Sequence, residues 1–161
     1  ENRKAQGLSL IRSVGDNIVL AALEQLFPSR MFMPRKAREV AREIIRKLRI
    51  ATPSERRPVQ VLSGGNQQKV VIGKWLAAGS RLFIFDEPTR GIDVGAKAEI
   101  FALMYDLVKN GAAVLMISSE LSEIVNVCDR AYVMRDGQIA GELSRDRLSE
   151  ENILQLAMHH E

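Results

Sequence analysis

An α/β domain built on parallel strands with flanking helices is the fold class this sequence predicts, and three stretches predict it. The first is Leu82-Phe83-Ile84-Phe85, a short apolar run ending on two carboxylates, Asp86 and Glu87. Such a run reads as a buried parallel strand, and open α/β sheets hold ligands at the carboxyl ends of their strands. The second is residues 112–117, another apolar run, separated from the first by a helix-length segment. Strand, helix, strand in that order implies a parallel pair joined by a right-handed crossover. The third is Leu62-Ser63-Gly64-Gly65-Asn66-Gln67-Gln68-Lys69. Ser63 is a good N-cap, and two glycines leave the backbone open to a ligand. A helix-forming run follows, in which Val70, Val71, Trp75 and Leu76 are expected to share a face. The dipole and unpaired N–H groups of such a helix end favour an anion.

The totals set bounds. The chain has 161 residues, 46% apolar and 27% charged, enough for one domain with a core of its own. No apolar run approaches the roughly 18 residues of a membrane span. Glu1-Asn2-Arg3-Lys4 is polar, unlike a signal peptide, and looks cut from something longer. The single Cys128 cannot form an internal disulfide; beside Val125 and Val127 it reads as a reduced, cytosolic core thiol. Charge is uneven: residues 1–58 hold 13 Lys/Arg against 6 Asp/Glu, whereas residues 59–161 hold 10 against 14. A basic front half suits nucleic acid, an acidic partner or a membrane surface, or is simply a solvated helix face. Only Phe27 and Phe32 are there to stack on bases, which argues against single-stranded nucleic acid.

In chain order, Ser13 caps a helix over about residues 14–26, which Phe27-Pro28-Ser29-Arg30 breaks. Pro34 opens the next helix, in which Ala37, Val40, Ala41, Ile44, Ile45 and Leu48 recur at helical spacing. Residues 51–61, with Pro53 and Pro58, read as an extended linker. The helix after Ser63 runs to about Ala78, with Gly79 just past its end. Asp93 caps a helix over 94–109 whose apolar face is Ile100, Leu103, Met104, Leu107 and Val108. A short helix to about Cys128 and a strand from Arg130 follow, then a hairpin turn at Asp136-Gly137 and a strand over 138–143. The last helix, 149–158, is amphipathic through Ile153, Leu154 and Leu156. The adjacent His159 and His160 read as a tail and not as metal ligands, and the sequence has no Cys/His ligand spacing elsewhere.

Taken together, the Ser63-Gly64-Gly65 helix start and the strand ending in Asp86-Glu87 resemble the ATP-binding-cassette (ABC) ATPases. The first matches their LSGGQ-type signature and the second their Walker B strand. Gly91-Ile92-Asp93-Val94-Gly95-Ala96-Lys97 resembles the D-loop region. The wording from Leu62 to Leu76 and from Asp86 to Ile100 is similar to the second, C-terminal ATPase half of bacterial monosaccharide importers of the ribose, galactose and xylose type. That resemblance implies a truncated P-loop NTPase of ABC type, mainly parallel in its sheet, with a helical subdomain. It divides the chain into 1–61 (start fragment and helical subdomain), 62–143 (signature, Walker B, D-loop and switch region) and 144–161 (C-terminal helix and tail). Glu1 falls near the Q-loop glutamine.

The resemblance also implies chemistry. Mg-ATP would be sandwiched between two ATPase halves, with Ser63, Gly64 and Gly65 of one half reaching the γ-phosphate held by the other, and Asn66, Gln67 and Asp93 counted with them as nucleotide-binding positions. Asn66 stands where the commonest pattern has glutamine. Asp86 would help hold Mg2+, usually through water, and Glu87 would position or deprotonate the attacking water. Asp93 would report on the partner half, or act as an N-cap. Two departures stand out. No G-x-x-x-x-G-K-[ST] loop occurs among the 161 residues, so the isolated chain is expected to be inactive. Ser119 occupies the place of the H-loop histidine, and a serine cannot carry the imidazole's charge.

The partners implied are the first ATPase half of the same protein or a second copy, membrane permease subunits, and a periplasmic sugar-binding protein. The location implied is the cytoplasmic face of the bacterial inner membrane, and no nucleic acid is expected. Two competing readings are a soluble ABC ATPase acting on ribosomes or nucleic acid, and a catalytically silent interaction module. A sheet lacking its first strands is also expected to expose an edge and an apolar face.

Overall fold

The computed structural model describes residues 7–29 and 31–158. The expectations for Glu1, His159 and His160 therefore lie outside the described residues. The chain forms two compact units: one holds the described residues up to Phe83 together with Thr89–Leu115, the other Ile84–Pro88 and the residues from Met116 onward. The boundary falls within two strands, β1 (Leu82–Asp86) and β2 (Ala113–Ile117).

The first unit is mostly helical. Ser13 caps α1 (Val14–Val19), its hydroxyl accepting from the amide of Asp16. The expected continuous helix over 14–26 is instead α1, a 3₁₀ turn at Leu20–Ala22 and a short α2 (Leu23–Leu26). Residues three apart eclipse in a 3₁₀ turn. Val19 and Ala22 thereby stack on the same buried side while Leu20 turns to solvent. Asn17 is buried in α1 and satisfied: its Oδ1 accepts from Ser9 N at 2.8 Å, and its Nδ2 donates to Ser9 O at 3.0 Å and Ser13 O at 2.9 Å. α3 (Pro34–Lys47) begins on proline, whose missing N–H costs a first turn nothing. It buries Ala37, Ala41 and Ile44; Val19, Phe27, Ala37 and Ala41 make one core cluster.

Residues 51–61, expected as an extended linker, carry no helix or strand before the 3₁₀ turn at Val59–Val61 but are tied to α1 by backbone hydrogen bonds. Val14 and Gly15, at the start of α1, have no intrahelical acceptors. They donate instead to Arg57 O at 2.9 Å and Glu55 O at 2.8 Å, and Val59 N returns to Arg12 O at 3.1 Å. The segment is thus a strap that completes the start of α1, with its own Glu55 and Val59 buried.

α4 (Gly64–Ala77) and α5 (Val94–Lys109) complete this unit. α4 ends as the sequence predicts, with Gly79 in the left-handed region at φ 68°. Its buried side differs from the expected one. Val70, Ile72 and Gly73 are buried, but Trp75 is 48% exposed. Five residues along a helix turn through roughly 140° beyond a full revolution, which carries Trp75 off the face of Val70. Gly73 lets α4 close onto α3, since a Cβ there would lie 2.7 Å from Ile44 Cγ2. α5 follows the predicted bounds and buries Ile100, Leu103, Met104 and Leu107, while Val108 faces solvent.

β1 and β2 pair, and their ends run the same way: Ala113 N donates to Arg81 O and, further along both chains, Glu87 N donates to Ile117 O. This is the expected parallel pair. Neither strand is fully buried, contrary to the reading of both runs as buried strands. β1 hides Phe83 and Phe85 but exposes Leu82 and Ile84; β2 leaves Leu115 and Ile117 about half exposed. The apolar runs are apolar on both sides of each strand, but Leu82 and Ile84 of β1 and Leu115 and Ile117 of β2 are the alternate residues left exposed.

The second unit is an antiparallel hairpin, β3 (Arg130–Arg135) and β4 (Gln138–Ser144), with α6 (Leu121–Val127) and α7 (Glu150–Met158). Val133, Leu143, Leu148 and Ile153 form its core, with Leu121, Ile124 and Cys128 packed against them. Asp136 and Gly137 both have positive φ, 50° and 78°, as a two-residue type I′ turn requires. A bulge leaves Ala140 unopposed between the pairs Val133–Gly141 and Met134–Ile139.

The candidate signature and Walker B sites

In the first unit, the Ser63 end of α4 is assembled as its sequence implied. Ser63 is the N-cap, with extended backbone at φ −60° and ψ 158°. Its Oγ accepts from Asn66 N at 3.5 Å and from Asn66 Nδ2 at 2.9 Å. Ser63 is exposed, and Gly64 and Gly65 supply the amides that precede the first intrahelical bond. A helix end of this kind offers N–H groups and a partial positive charge to an anion.

Asn66 and Gln67 are placed as braces. Asn66 bridges Ser63 to the segment after α3, its Oδ1 accepting from Ala51 N at 2.7 Å. Gln67 points inward: it is 4% exposed, and its Nε2 donates to Leu62 O at 3.2 Å and Val59 O at 3.4 Å. Both side chains hold the approach to Ser63 rather than extending it.

Asp93 is the N-cap of α5, its Oδ1 accepting from Ala96 N at 2.9 Å. The sequence left this residue between cap and D-loop contact, and the cap is present. α5 lies against α4 through a contact that sequence reading missed. Lys69, 8% exposed in its side chain, reaches Glu99 Oε2 at 2.8 Å and also donates to Arg49 O at 3.3 Å. One turn before Lys69, a Cβ on Gly65 would stand 2.8 Å from Ala96 Cβ. The helical spacing of Gly65 and Lys69, four apart, was the available signal.

In the second unit, β1 delivers Asp86 and Glu87 to its carboxyl end. Asp86 is exposed as the last residue of β1. Glu87 leaves the strand with φ 47°, a left-handed conformation uncommon for a residue with a side chain. It is held there on both sides: its N–H donates to Ile117 O at 2.9 Å, and its Oε1 accepts from Ser119 N at 2.9 Å. Strained residues of this kind cluster at functional sites. Ser119 thus meets Glu87 through its backbone. Its loop is shaped by Ser118, whose Oγ accepts from Glu120 N at 3.1 Å and donates to the buried Glu123 at 3.0 Å. Sequence reading passed over Ser118, although a serine three residues before a helix start is a common turn former.

A helix start that offers free amides to an anion, and separately a carboxylate pair at a strand terminus, are features suited to a nucleotide-handling class of protein. Residues 4–90 match the family described as ABC transporter, which is more than half of the chain, and the chain belongs to that family. It is 52% identical to the ribose import ATP-binding protein RbsA 3 of Rubrobacter xylanophilus over 98% of its length and 31% of that protein. It is 48% identical to RbsA 2 of Escherichia coli O157:H7, and 44% to the arabinose import ATP-binding protein AraG 2 of Burkholderia ambifaria, each over 98% of this chain and 31% of the relative. The chain therefore spans about a third of the length of these curated relatives. Among solved structures it resembles MJ1267, an ATP-binding cassette of an ABC transporter, with a TM-score of 0.74 at 26% identity, covering 90% of this chain and 62% of that one. A nucleotide-free cassette at 23% identity and a TM-score of 0.71, covering 93% and 64%, shares the fold. Among the described residues no helix is long and apolar enough to cross a membrane.

Proposed function

We propose that this chain is the signature-bearing part of an ATPase subunit that drives monosaccharide import. The observation that carries the reading is the identity, 44–52% over 98% of the chain, with proteins named for ribose and arabinose import. On this reading the chain works at the cytoplasmic face of a bacterial inner membrane, against permease subunits that a periplasmic sugar-binding protein supplies.

Within that reading, Ser63, Gly64 and Gly65 complete an ATP site whose phosphate cradle lies on another ATPase half. The exposed cap hydroxyl and the leading amides of α4 suit the γ-phosphate's charge. Asn66 and Gln67 hold that end in place through Ala51, Val59 and Leu62. Asp86 fits a Mg2+ ion that arrives with the nucleotide: it is an exposed carboxylate at a strand end, and such an ion keeps its waters and phosphate oxygens. Among the described residues no group of three or more His, Cys, Asp or Glu side chains could hold a metal ion, and Asp86 would act beside the nucleotide's oxygens, usually through water. When bound, the ion would neutralise phosphate charge. Glu87 would orient the attacking water and take its proton, and Asp93 would meet the partner half beyond its capping role.

The two sites need not contribute equally. Ser63-Gly64-Gly65 is intact, whereas Ser119 replaces an imidazole beside Glu87. The chain then mainly lends its signature, and its own carboxylate site is slow. In the complete protein reconstituted with its permease, Ser63→Arg should abolish ATP turnover, while Glu87→Gln should leave much of it. Equal losses from the two would overturn the asymmetry; undiminished turnover in Ser63→Arg would overturn the assignment of the signature.

A further inference from the structure

We infer that Lys69 is a positioning residue for the signature end of α4, acting through Glu99 on α5; this rests on the reading of Ser63-Gly64-Gly65 as the phosphate-facing end. Two successive turns of α4 touch α5. At the first, Gly65 packs so closely on Ala96 that a Cβ would stand 2.8 Å from the alanine methyl carbon. At the second, the Lys69 ammonium meets Glu99 at 2.8 Å. The same ammonium donates to Arg49 O at 3.3 Å, and Arg49 is the left-handed residue, φ 49°, at which the chain leaves α3. One buried cation therefore joins the exit of α3, the second turn of α4 and the second turn of α5.

Burial makes this pair different from a surface ion pair. Lys69 is 8% exposed, so an unmatched ammonium there would carry a desolvation cost that water cannot relieve. Glu99 is 63% exposed and can give up its carboxylate charge without itself creating a cavity. The residues that the clamp holds in register are those with proposed roles. Gly65 lies four residues before Lys69 on α4, and Asp93 caps α5 through Ala96, the alanine that Gly65 touches. The clamp fixes the spacing between the phosphate-facing end of α4 and the Asp93 cap. A displacement of about 1 Å in a catalytic arrangement can reduce turnover by about 100-fold. The sequence pattern explains Gly65 in a second way as well: it is glycine because a helix crosses it, in addition to any ligand approach.

The test uses the complete protein and four variants: Lys69→Met, Glu99→Gln, the double variant, and Ser63→Arg as the reference. ATP turnover, the KM for ATP and the unfolding midpoint are measured for each. The expected result is a fall in kcat of about 10- to 100-fold for Lys69→Met, with a smaller fall for Glu99→Gln. The double variant should be no slower than Lys69→Met, because the pair acts as one unit. KM should stay within about twofold, since the nucleotide is held elsewhere. Glu99→Gln should stay folded with a lowered unfolding midpoint, because the buried ammonium loses its counter-charge, and kcat is compared well below that midpoint, which separates positioning from loss of fold. If Lys69→Met does not fold, Glu99→Gln carries the test alone. A parental kcat in Glu99→Gln with Ser63→Arg inactive would overturn the inference and leave the signature assignment standing. Parental turnover in Ser63→Arg would remove that assignment, and the inference with it.

Discussion

The backbone N–H of Ser119 donates to Glu87 Oε1 at 2.9 Å, so the residue proposed for the H-loop position holds the carboxylate without using its side chain. Replacing the hydroxyl leaves this bond in place. Ser119→Ala should therefore change ATP turnover of the complete protein by less than about twofold. Glu87→Gln keeps an oxygen that can accept the same bond, so whatever turnover it loses reports proton chemistry and not a released loop. Steady-state ATPase assays of the two variants check both statements. A severe loss in Ser119→Ala would mean that its hydroxyl acts on the reaction directly.

Asp93 offers a way to separate a cap from a contact. Its Oδ1 accepts from Ala96 N at 2.9 Å, and an N-cap of this kind is worth about 1 kcal/mol against alanine. Asp93→Ala should lower stability by about that amount in urea unfolding. Asp93→Asn should preserve stability, because asparagine caps as well. A fall in ATP turnover confined to Asp93→Asn, with stability intact, would assign the carboxylate charge to the partner half.

Glu55 predicts an acid transition. Arg42 grips its carboxylate with two bonds, Nε to Oε2 at 3.2 Å and Nη2 to Oε1 at 3.0 Å. The guanidinium's hydrogen bonds hold the Glu55 carboxyl below its usual range. A carboxylate whose folded value lies below its unfolded one stabilises the fold above the unfolded value, about 4.3, and loses that contribution as pH falls through the folded value. Unfolding midpoints from pH 7 to pH 3 should therefore drop less steeply in Glu55→Gln than in the parent. The variant should also be less stable at pH 7. Parallel curves would show that another carboxylate governs the acid limb.

Cys128 is half-buried, and burial first, then the neighbouring Asp129, pushes its thiol above the ordinary range. The thiolate is the reactive form. Alkylation at pH 8 should be at least about tenfold slower in the folded protein than in urea, as read by mass spectrometry. Equal rates would mean that the core of Val133, Leu143 and Ile153 does not shield it.

Much of this was legible in the sequence because it is set locally. Ser13, Ser63 and Asp93 all cap the helices they were expected to cap, since an N-cap depends on a residue and the amide three positions on. Asp136-Gly137 turns the hairpin for the same reason. The misreadings concern tertiary partners. Nothing local says that residues 51–61 would be recruited to satisfy Val14 and Gly15, or that Trp75 would fall outside the buried side of α4. In the candidate sites, the types and positions of Ser63, Asp86 and Glu87 were readable. The inward turn of Gln67 and the pairing of Lys69 with Glu99 were not: the first depends on how the preceding turn at residues 59–62 folds back under α4, the second on a partner on another helix.

The turn at Asp136–Gly137 has a consequence in time. Arg135 and Gln138 face each other across two residues, so the β3–β4 ladder can zip from its own turn. Such hairpins form within about 1–10 μs. β1 and β2 cannot pair until the whole of α5 has been laid between them, and closing a longer loop costs more entropy. The chain should thus acquire its antiparallel ladder before its parallel one. Pulse-labelled hydrogen exchange during refolding should protect the amides of β3 and β4 ahead of those of β1 and β2; the reverse order would show that nucleation begins in the first unit. With that order, the strand that delivers Asp86 and Glu87 finds its partner only after the β3–β4 hairpin has closed.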